Sequence, residues 1–321
     1  INAGDSVYTS PFVGSPKTFR YLHCGDFRAS PQHVLHPAIR GKHIDNIYLD
    51  TTYLDPKYIF PPQSQVINAC AELARRIVAG EPVGPVDGNG KRDTTIHEWV
   101  NSRPQCEREE TKQVQGRTLI VIGTYSIGKE RIVKAIAQAL QTKIYCDERK
   151  MAILLCQNDQ QLHHFLTPDP LEGGIHLLPL GLIASDKLRS YVQRFGDTFS
   201  RVIGFRPTGW SYIPPVGNNP NPTIPVIVSQ GQTRSFSYTD LRLAQKATYA
   251  VQLYGVPYSE HSSFFELTCF AMSCDWSRII PTVNVGSEKA RAKMAMWIQR
   301  WEAERKRGKI IFIEPRAADY W

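Results

Sequence analysis

The sequence lacks the features that mark several large classes of protein. No run of about 18 apolar residues occurs among its 321 residues, so a membrane-spanning helix is not expected. Its seven cysteines are odd in number and form no Cys-x-x-Cys pair, which argues against a disulfide scaffold or a zinc ribbon and predicts a reducing compartment. The chain starts without Met, a basic segment or the apolar core of a signal peptide, which predicts a fragment or an incomplete gene product.

Histidine is present but never concentrated into a metal-binding cluster. The histidines that fit no metal spacing, predicted to be surface or packing residues, are His33, His36, His43, His97, His163, His164 and His176. The hydrophobic content of 42% and charged content of 21% are typical of a soluble globular protein, and the length allows two domains. A net charge of +8 favours a polyanionic partner.

Strand-like and helix-like segments alternate along the chain, which predicts an α/β protein with a mainly parallel sheet. Predicted strands lie at 118–122, 143–146, 175–178, 201–206, 248–253 and 278–283; predicted helices lie at 62–79, 129–140, 159–166, 186–195, 264–273 and 287–306. Two stretches rich in Pro, Gly or Asn, 80–117 and 211–236, are predicted to be loops, the first a flexible surface insertion.

Three potential metal-site residues each follow an apolar, strand-like run. Asp26 follows Tyr21-Leu22, Asp50 follows the segment 47–49, and His261 lies beyond the run 250–253. Carboxylates and imidazoles at strand ends are how a rigid sheet presents ligands to a hydrolytic metal. Taken singly, each also fits a helix cap or a partner for an arginine.

The segment 123–130, GTYSIGKE, nearly matches a phosphate-binding P-loop. It follows a predicted strand, opens a predicted helix and has the G-x-x-x-x-G-K spacing, but Glu130 replaces the magnesium-binding Ser or Thr. That replacement argues against a P-loop NTPase, for which loss of ATP binding in Lys129→Ala would be the test. Two interpretations stay open: a strand-to-helix turn that needs glycine, and a helix N-terminus that grips a single phosphate with Lys129.

Seven motifs taken in order reveal a family resemblance. They are HCGDFRASP, YLDTTY, FPPQ, IVIGTYSIGKER, IGFRPTGW, YGVPYSEHSSF and IIPTVNVG. The chain resembles the DNA cross-link repair nucleases of the β-CASP metallo-β-lactamase family, in the branch that also contains Artemis and Apollo. Within that branch it is similar to the fungal interstrand cross-link repair member. The similarity covers the chain except the polar stretches near 80–117 and 211–236.

The resemblance implies a fold and a division into domains. It implies a partial metallo-β-lactamase αββα sandwich, residues 1–57 and 248–321, split by an inserted β-CASP α/β domain, residues 58–247. The family's H-x-H-x-D-H cluster and a further histidine belong upstream of Asp26, and nothing in residues 1–20 resembles them. We therefore expect the first strands of the sandwich to be missing and this chain alone to be inactive.

The resemblance also implies residue roles and an activity. Asp26 would bridge metal ions, Asp50 would orient a metal-binding histidine, and His261 would bind metal; Lys129, with Ser126 and Lys150, would hold a terminal 5′-phosphate. Val285 (or Val283) stands where RNA-processing relatives have histidine, which argues for DNA. The implied function is a nuclear 5′-to-3′ exonuclease that uses one or two zinc or other divalent ions on damaged, 5′-phosphorylated DNA, with repair proteins as further partners.

One further sequence feature and a second hypothesis bear on DNA binding. The final predicted helix carries basic residues that fit either a DNA backbone contact or a solvated charged face: Lys289, Arg291, Lys293, Arg300, Arg305, Lys306 and Arg307. A second hypothesis for the whole chain is a non-catalytic module, derived from this family, that binds DNA or a repair partner.

Overall fold

The computed structural model describes residues 18–83, 116–214, 219, 221–233, 235–244, 247–307 and 313–321. The chain divides into two compact units. Unit 1 comprises Ile1–Ile59, Val216–Thr233 and His261–Trp321, and unit 2 comprises Phe60–Pro215 and Arg234–Glu260. These limits differ from the predicted 58–247 insertion, because the segment 216–233 belongs to unit 1 and the second boundary falls at residue 261. Most of the polar stretch predicted at 80–117, residues 84–115, lies outside the described residues.

Helices and strands alternate through most of the described chain, which confirms the α/β class. The strands are β1 (Tyr21–His23), β2 (His43–Leu49), β3 (Arg117–Thr124), β4 (Lys143–Tyr145), β5 (Leu166–Thr167), β6 (Gly173–Pro179), β7 (Phe199–Pro207), β8 (Arg242–Leu243), β9 (Val251–Val256) and β10 (Asp275–Pro281). The α-helices are α1 (Pro31–Leu35), α2 (Gln63–Val78), α3 (Glu130–Leu140), α4 (Glu148–Leu155), α5 (Gln160–Phe165), α6 (Ser185–Gln193), α7 (Ile224–Thr233), α8 (Phe264–Ser273) and α9 (Glu288–Lys306). No helix in this part of the chain has the length and apolar character needed to cross a membrane.

Unit 1 is built on a parallel sheet with strand order β1-β2-β10 in its described residues. The sheet and its helices enclose one core, to which α9 contributes the fully buried Trp297 and Trp301. Helix α8 is apolar nearly all round and is buried from Phe264 to Met272, as expected of a helix inside a core. Its first turn is closed by a capping box between Ser263 and Glu266, so each satisfies a backbone N–H of the other.

Helix α7 corrects the prediction of a loop over 211–236. Its β-branched residues have weak helix propensity and prolines precede it, so local sequence favoured a loop. Ile224 and Ile227 are nevertheless buried in the unit 1 core. At Gly231, an added Cβ would lie 2.1 Å from Cδ2 of Phe265, so only glycine permits this close approach to α8. Tertiary packing, rather than local helix propensity, therefore stabilises this helix.

Unit 2 contains a larger sheet with strand order β5-β4-β6-β3-β7-β9-β8 in its described residues. Neighbours are parallel except β8, which is antiparallel to β9. Side chains alternate along β3: Ile120 and Ile122 pack in the core that contains α2 and α3, whereas Leu119 and Val121 pack in the core that contains α6. The sheet is thus covered by helices on both faces.

Most predicted elements of unit 2 are confirmed within a few residues, one strand is displaced along the chain, and one helix was not predicted. The strand predicted at 248–253 lies at Val251–Val256, because a turn pairs the Thr248 N–H with the Val251 carbonyl and thus precedes the strand. Helix α4 was missed, although Asp147 caps it by accepting the Lys150 N–H at 2.9 Å.

Candidate metal centre and phosphate loop

Asp26, Asp50 and His261 lie together in unit 1. Each offers one ligand atom, and these atoms all lie within 4.8 Å of one another. Within the described residues, this is the group of at least three His, Cys, Asp or Glu side chains that could hold a metal ion. Two carboxylates and an imidazole form an oxygen and nitrogen donor set that suits Zn²⁺ and other divalent cations.

Strand topology explains why the two carboxylates meet. Strands β1 and β2 are parallel neighbours, with Leu22 paired to Ile47 and His23 to Tyr48, so their carboxyl ends share one edge of the sheet. Asp50 directly follows β2. Asp26 follows β1 after Gly25, whose φ of +60° turns the chain in a conformation that glycine adopts readily.

Asp50 binds and orients His261. Its Oδ2 lies 2.7 Å from His261 Nδ1, and Asp50 itself is only 2% exposed. The carboxylate accepts the Nδ1 proton, which leaves the lone pair on Nε2, the nitrogen suited to a metal. Burial of Asp50 opposes ionisation, but hydrogen bonds from His261 and Thr52 outweigh it and lower the pKa of Asp50. The acid is therefore ionised at neutral pH.

Two hydroxyl residues that the sequence analysis missed hold this group in place. Thr52 donates from Oγ1 at 2.6 Å and from its N–H at 3.0 Å to Asp50 Oδ1. Ser262 Oγ donates to the Phe27 carbonyl at 2.8 Å and accepts the Ala29 N–H at 2.9 Å, which ties the Asp26 segment to the His261 turn. Their position next to Asp50 and His261 in the motifs was the available signal.

The P-loop-like segment 123–130 lies in unit 2, between β3 and α3. Gly128 and Lys129 have φ values of +104° and +73°, so the chain turns sharply into the helix. The Gly128 N–H donates to Glu130 Oε1 at 3.0 Å, and the Lys129 N–H donates to Glu260 Oε1 at 3.4 Å. A triphosphate would have to displace both carboxylates, which argues against the P-loop NTPase and against phosphate binding by these two amides.

Lys129 has the surroundings of an anion-binding side chain. The residue is 4% exposed, and its Nζ lies 4.6 Å from the Tyr125 ring centroid and 5.9 Å from that of Tyr258. Burial lowers the pKa of Lys129, and the carboxylates of Glu260 and Glu130 oppose part of that effect. A partly desolvated ammonium gains more from an incoming anion than one in water.

Lys150 is held by the loop itself. Its Nζ donates to the Tyr125 carbonyl at 3.0 Å, to the Ser126 carbonyl at 3.1 Å and to Glu130 Oε1 at 3.0 Å. An ammonium has three donors, so this geometry favours a loop-stabilising role over the predicted direct contact with phosphate. The Ser126 side chain lies on the exposed part of the loop.

The basic residues of α9 are largely engaged within unit 1. Lys293 Nζ lies 2.7 Å from Asp55 Oδ2, and Arg305 Nη2 lies 2.9 Å from Asp275 Oδ1. Arg291 donates to the Val285 carbonyl at 2.7 Å. These contacts support the interpretation of this helix as a charged face with internal partners.

Comparison with known proteins finds DNA repair proteins that are similar to most of the chain. Residues 160–287 match the family described as DNA repair metallo-beta-lactamase. The DNA cross-link repair protein pso2/snm1 of Schizosaccharomyces pombe is 37% identical over 97% of this chain and 50% of that protein. The DNA cross-link repair 1A protein of Gallus gallus is 32% identical over 90% of the chain and 24% of that protein.

A third relative is similar to most of the chain at lower identity. The 5′ exonuclease Apollo of Gallus gallus is 25% identical over 82% of the chain and 40% of that protein. The chain thus spans half or less of the length of these three relatives.

Proposed function

The chain belongs to the DNA repair metallo-beta-lactamase family, and from this premise we propose that the protein is a metal-dependent nuclease that degrades DNA from its 5′ end during cross-link repair. The observation that carries the proposal is the Asp50–His261 pair at 2.7 Å, with Asp26 in the same ligand group. The names of these relatives, cross-link repair proteins and a 5′ exonuclease, support the same activity.

The described residues of unit 1 supply part of a donor set for zinc or another divalent cation. His261 would supply Nε2, and the exposed Asp26 would hold metal through its carboxylate, as the bridging residue if two ions are bound. Asp50 is committed to His261 Nδ1 and would act through that residue. When bound, a divalent metal supplies Lewis-acid polarisation of a water molecule and neutralises charge on a phosphodiester.

The phosphate end of the substrate is assigned to unit 2. Lys129, buried beside two tyrosine rings, would hold the terminal 5′-phosphate, and the exposed Ser126 side chain would add a hydroxyl. Lys150 would keep the loop in shape through its three hydrogen bonds. Val285 (or Val283), which stands where RNA-processing relatives have histidine, favours DNA over RNA as substrate. A DNA repair role implies a nuclear location, and other repair proteins are proposed as further partners.

Because this sequence contains no H-x-H-x-D-H cluster, the chain alone is expected to be inactive. The proposal is therefore tested with the whole protein and a 3′-labelled single-stranded oligonucleotide carrying either a 5′-phosphate or a 5′-hydroxyl. With Zn²⁺, Mn²⁺ or Mg²⁺ added, we expect shortening from the 5′ end, a preference for the 5′-phosphate that Lys129→Ala abolishes, and no cleavage by His261→Ala. Cleavage that persists in His261→Ala would overturn the assignment of the metal group.

The alternative is a non-catalytic module that binds DNA or a repair partner. The donor set of the described residues favours it in one respect, because it contains a single imidazole. Binding of the 5′-phosphorylated strand by the whole protein without cleavage under any of the three metals would support this alternative.

A further inference from the structure

A crevice of about 410 Å³ lies at the carboxyl ends of β3 and β6 in unit 2. Its walls come from the loop after β3, the start of α4 and the segment after β6. Its lining includes Tyr125, Asp147, Arg149, Ile153, Leu177 and Gly181.

The strand order explains why the sheet opens here. Strands β3 and β6 are parallel neighbours, yet the chain leaves them in opposite directions. Helix α3, which follows β3, packs in one core, and α6, which follows β6, packs in the core on the other face. Such a topological switch point is where open α/β sheets bind ligands.

The lining combines an apolar floor with a charged rim. Leu177 and Ile153 contribute aliphatic surface, while Asp147 and Arg149 are exposed at the start of α4. The Arg149 guanidinium makes no hydrogen bond or ion pair with another described residue. A flat heteroaromatic ring with a polar edge, attached to an anionic backbone, matches this combination.

Tyr125 joins the crevice to the phosphate loop. Its side chain lines the crevice and is 57% exposed, and its ring centroid lies 4.6 Å from Lys129 Nζ. A nucleotide whose phosphate contacts Lys129 therefore has an aromatic face beside it and an apolar crevice beyond. Base stacking on exposed aromatic side chains is the usual way in which single strands are held.

We propose that this crevice binds the unpaired base of a 5′-terminal nucleotide, with Tyr125 as the stacking surface and Arg149 as a contact for the next phosphate. The proposal rests on the proposed DNA function and narrows its substrate to single-stranded or frayed 5′ ends. A blunt duplex end would have to unpair its terminal base before the crevice is filled.

Gly181 offers a direct test because it lines the crevice and an added Cβ would meet no atom within 4 Å. A tryptophan at this position would extend into the open space, so Gly181→Trp would block the crevice. Leu155→Trp adds the same ring at an exposed position outside the lining and serves as the matched control.

Fluorescence anisotropy would measure the affinity of the chain for three single strands: 5′-phosphorylated, 5′-hydroxyl, and 5′-phosphorylated with an abasic first nucleotide. Stacking of one base corresponds to about tenfold or more in affinity. We expect the abasic strand to bind about tenfold more weakly to the unaltered chain and to Leu155→Trp. Gly181→Trp and Tyr125→Leu should bind the abasic and ordinary strands equally.

The outcomes separate the two proposals. If the unaltered chain binds abasic and ordinary strands equally and still prefers a 5′-phosphate, base binding in the crevice is refuted and the phosphate assignment stands. Loss of the 5′-phosphate preference would instead overturn the phosphate assignment. If urea unfolding shows that Gly181→Trp does not fold, Tyr125→Leu and Arg149→Gln decide the question. The proposal is refuted if Tyr125→Leu still binds the abasic strand more weakly than the ordinary strand.

Discussion

The replacement Asp50→Asn probes the metal centre most directly, because it changes one atom of the contact with His261. An asparagine presents either its NH₂ or its oxygen to Nδ1. If the NH₂ faces Nδ1, the imidazole must carry its proton on Nε2, which removes the lone pair needed by a metal. If the oxygen faces Nδ1, the NH₂ faces Thr52, whose N–H now donates to Oδ1 at 3.0 Å, and that hydrogen bond is lost.

Either orientation weakens the metal-binding form of His261. Loss of a partner that orients a metal ligand lowers metal affinity by about 10- to 100-fold, which corresponds to about 1.4–2.7 kcal/mol of binding free energy. The low exposure of Asp50, 2%, leaves little water to replace the lost hydrogen bond, so we expect the upper half of that range.

The dissociation constant for Zn²⁺ would be measured by competition with a chromophoric chelator. Asp55→Asn is the matched control, since Asp55 is a carboxylate of the same segment that pairs with Lys293 at 2.7 Å. His261→Ala sets the value for a lost ligand, and urea unfolding verifies that each variant is folded. The reasoning is refuted if Asp50→Asn binds Zn²⁺ within twofold of the unaltered chain, or no more weakly than Asp55→Asn.

Three further predictions concern stability and are measured by urea unfolding. Arg28→Met leaves the 1%-exposed Glu266 side chain without the guanidinium 2.8 Å away, which should cost about 3–5 kcal/mol; a loss below about 1 kcal/mol would contradict a buried ion pair. Burial lowers the pKa of His176 from 6.5 to about 4, so folding favours the neutral ring. The free energy of unfolding should therefore have its full value above pH 6.5. It should fall by about 3 kcal/mol as the pH drops to about 4, because the unfolded chain binds the proton first, and His176→Phe should remove this slope. Gly231→Ala should cost about 1–3 kcal/mol through overlap with the Phe265 ring, and an unchanged midpoint would show that α7 can move away from α8.

The sequence was sufficient to predict the structural features that depend on residues close together in the chain. The helical period over 62–79 predicted α2 at Gln63–Val78, and the helix predicted at 264–273 is α8 at Phe264–Ser273. The ordered motifs were sufficient for the family because each retains residue types at fixed local spacing, and the family match over 160–287 agrees with them. Element type and family membership are therefore properties of local sequence.

The chemical roles of side chains depended on contacts that sequence does not encode locally. Lys150 was predicted to contact phosphate, but its Nζ donates to two backbone carbonyls and to Glu130. Which backbone carbonyls a side chain reaches cannot be read from a sequence. Thr52 and Ser262 were overlooked for the same reason, since their importance lies in which atoms they reach.

The sequence by itself determined that this protein is an α/β member of its family with acids and an imidazole after strand-like runs. Only the tertiary structure decided that Asp50 and His261, 211 positions apart, lie 2.7 Å from each other, and that α7 folds against α8. Only the strand order decided that β3 and β6 open into a crevice. The physical reason is that periodicity and propensity act over a few residues, whereas strand order and packing bring together atoms that are remote in the chain.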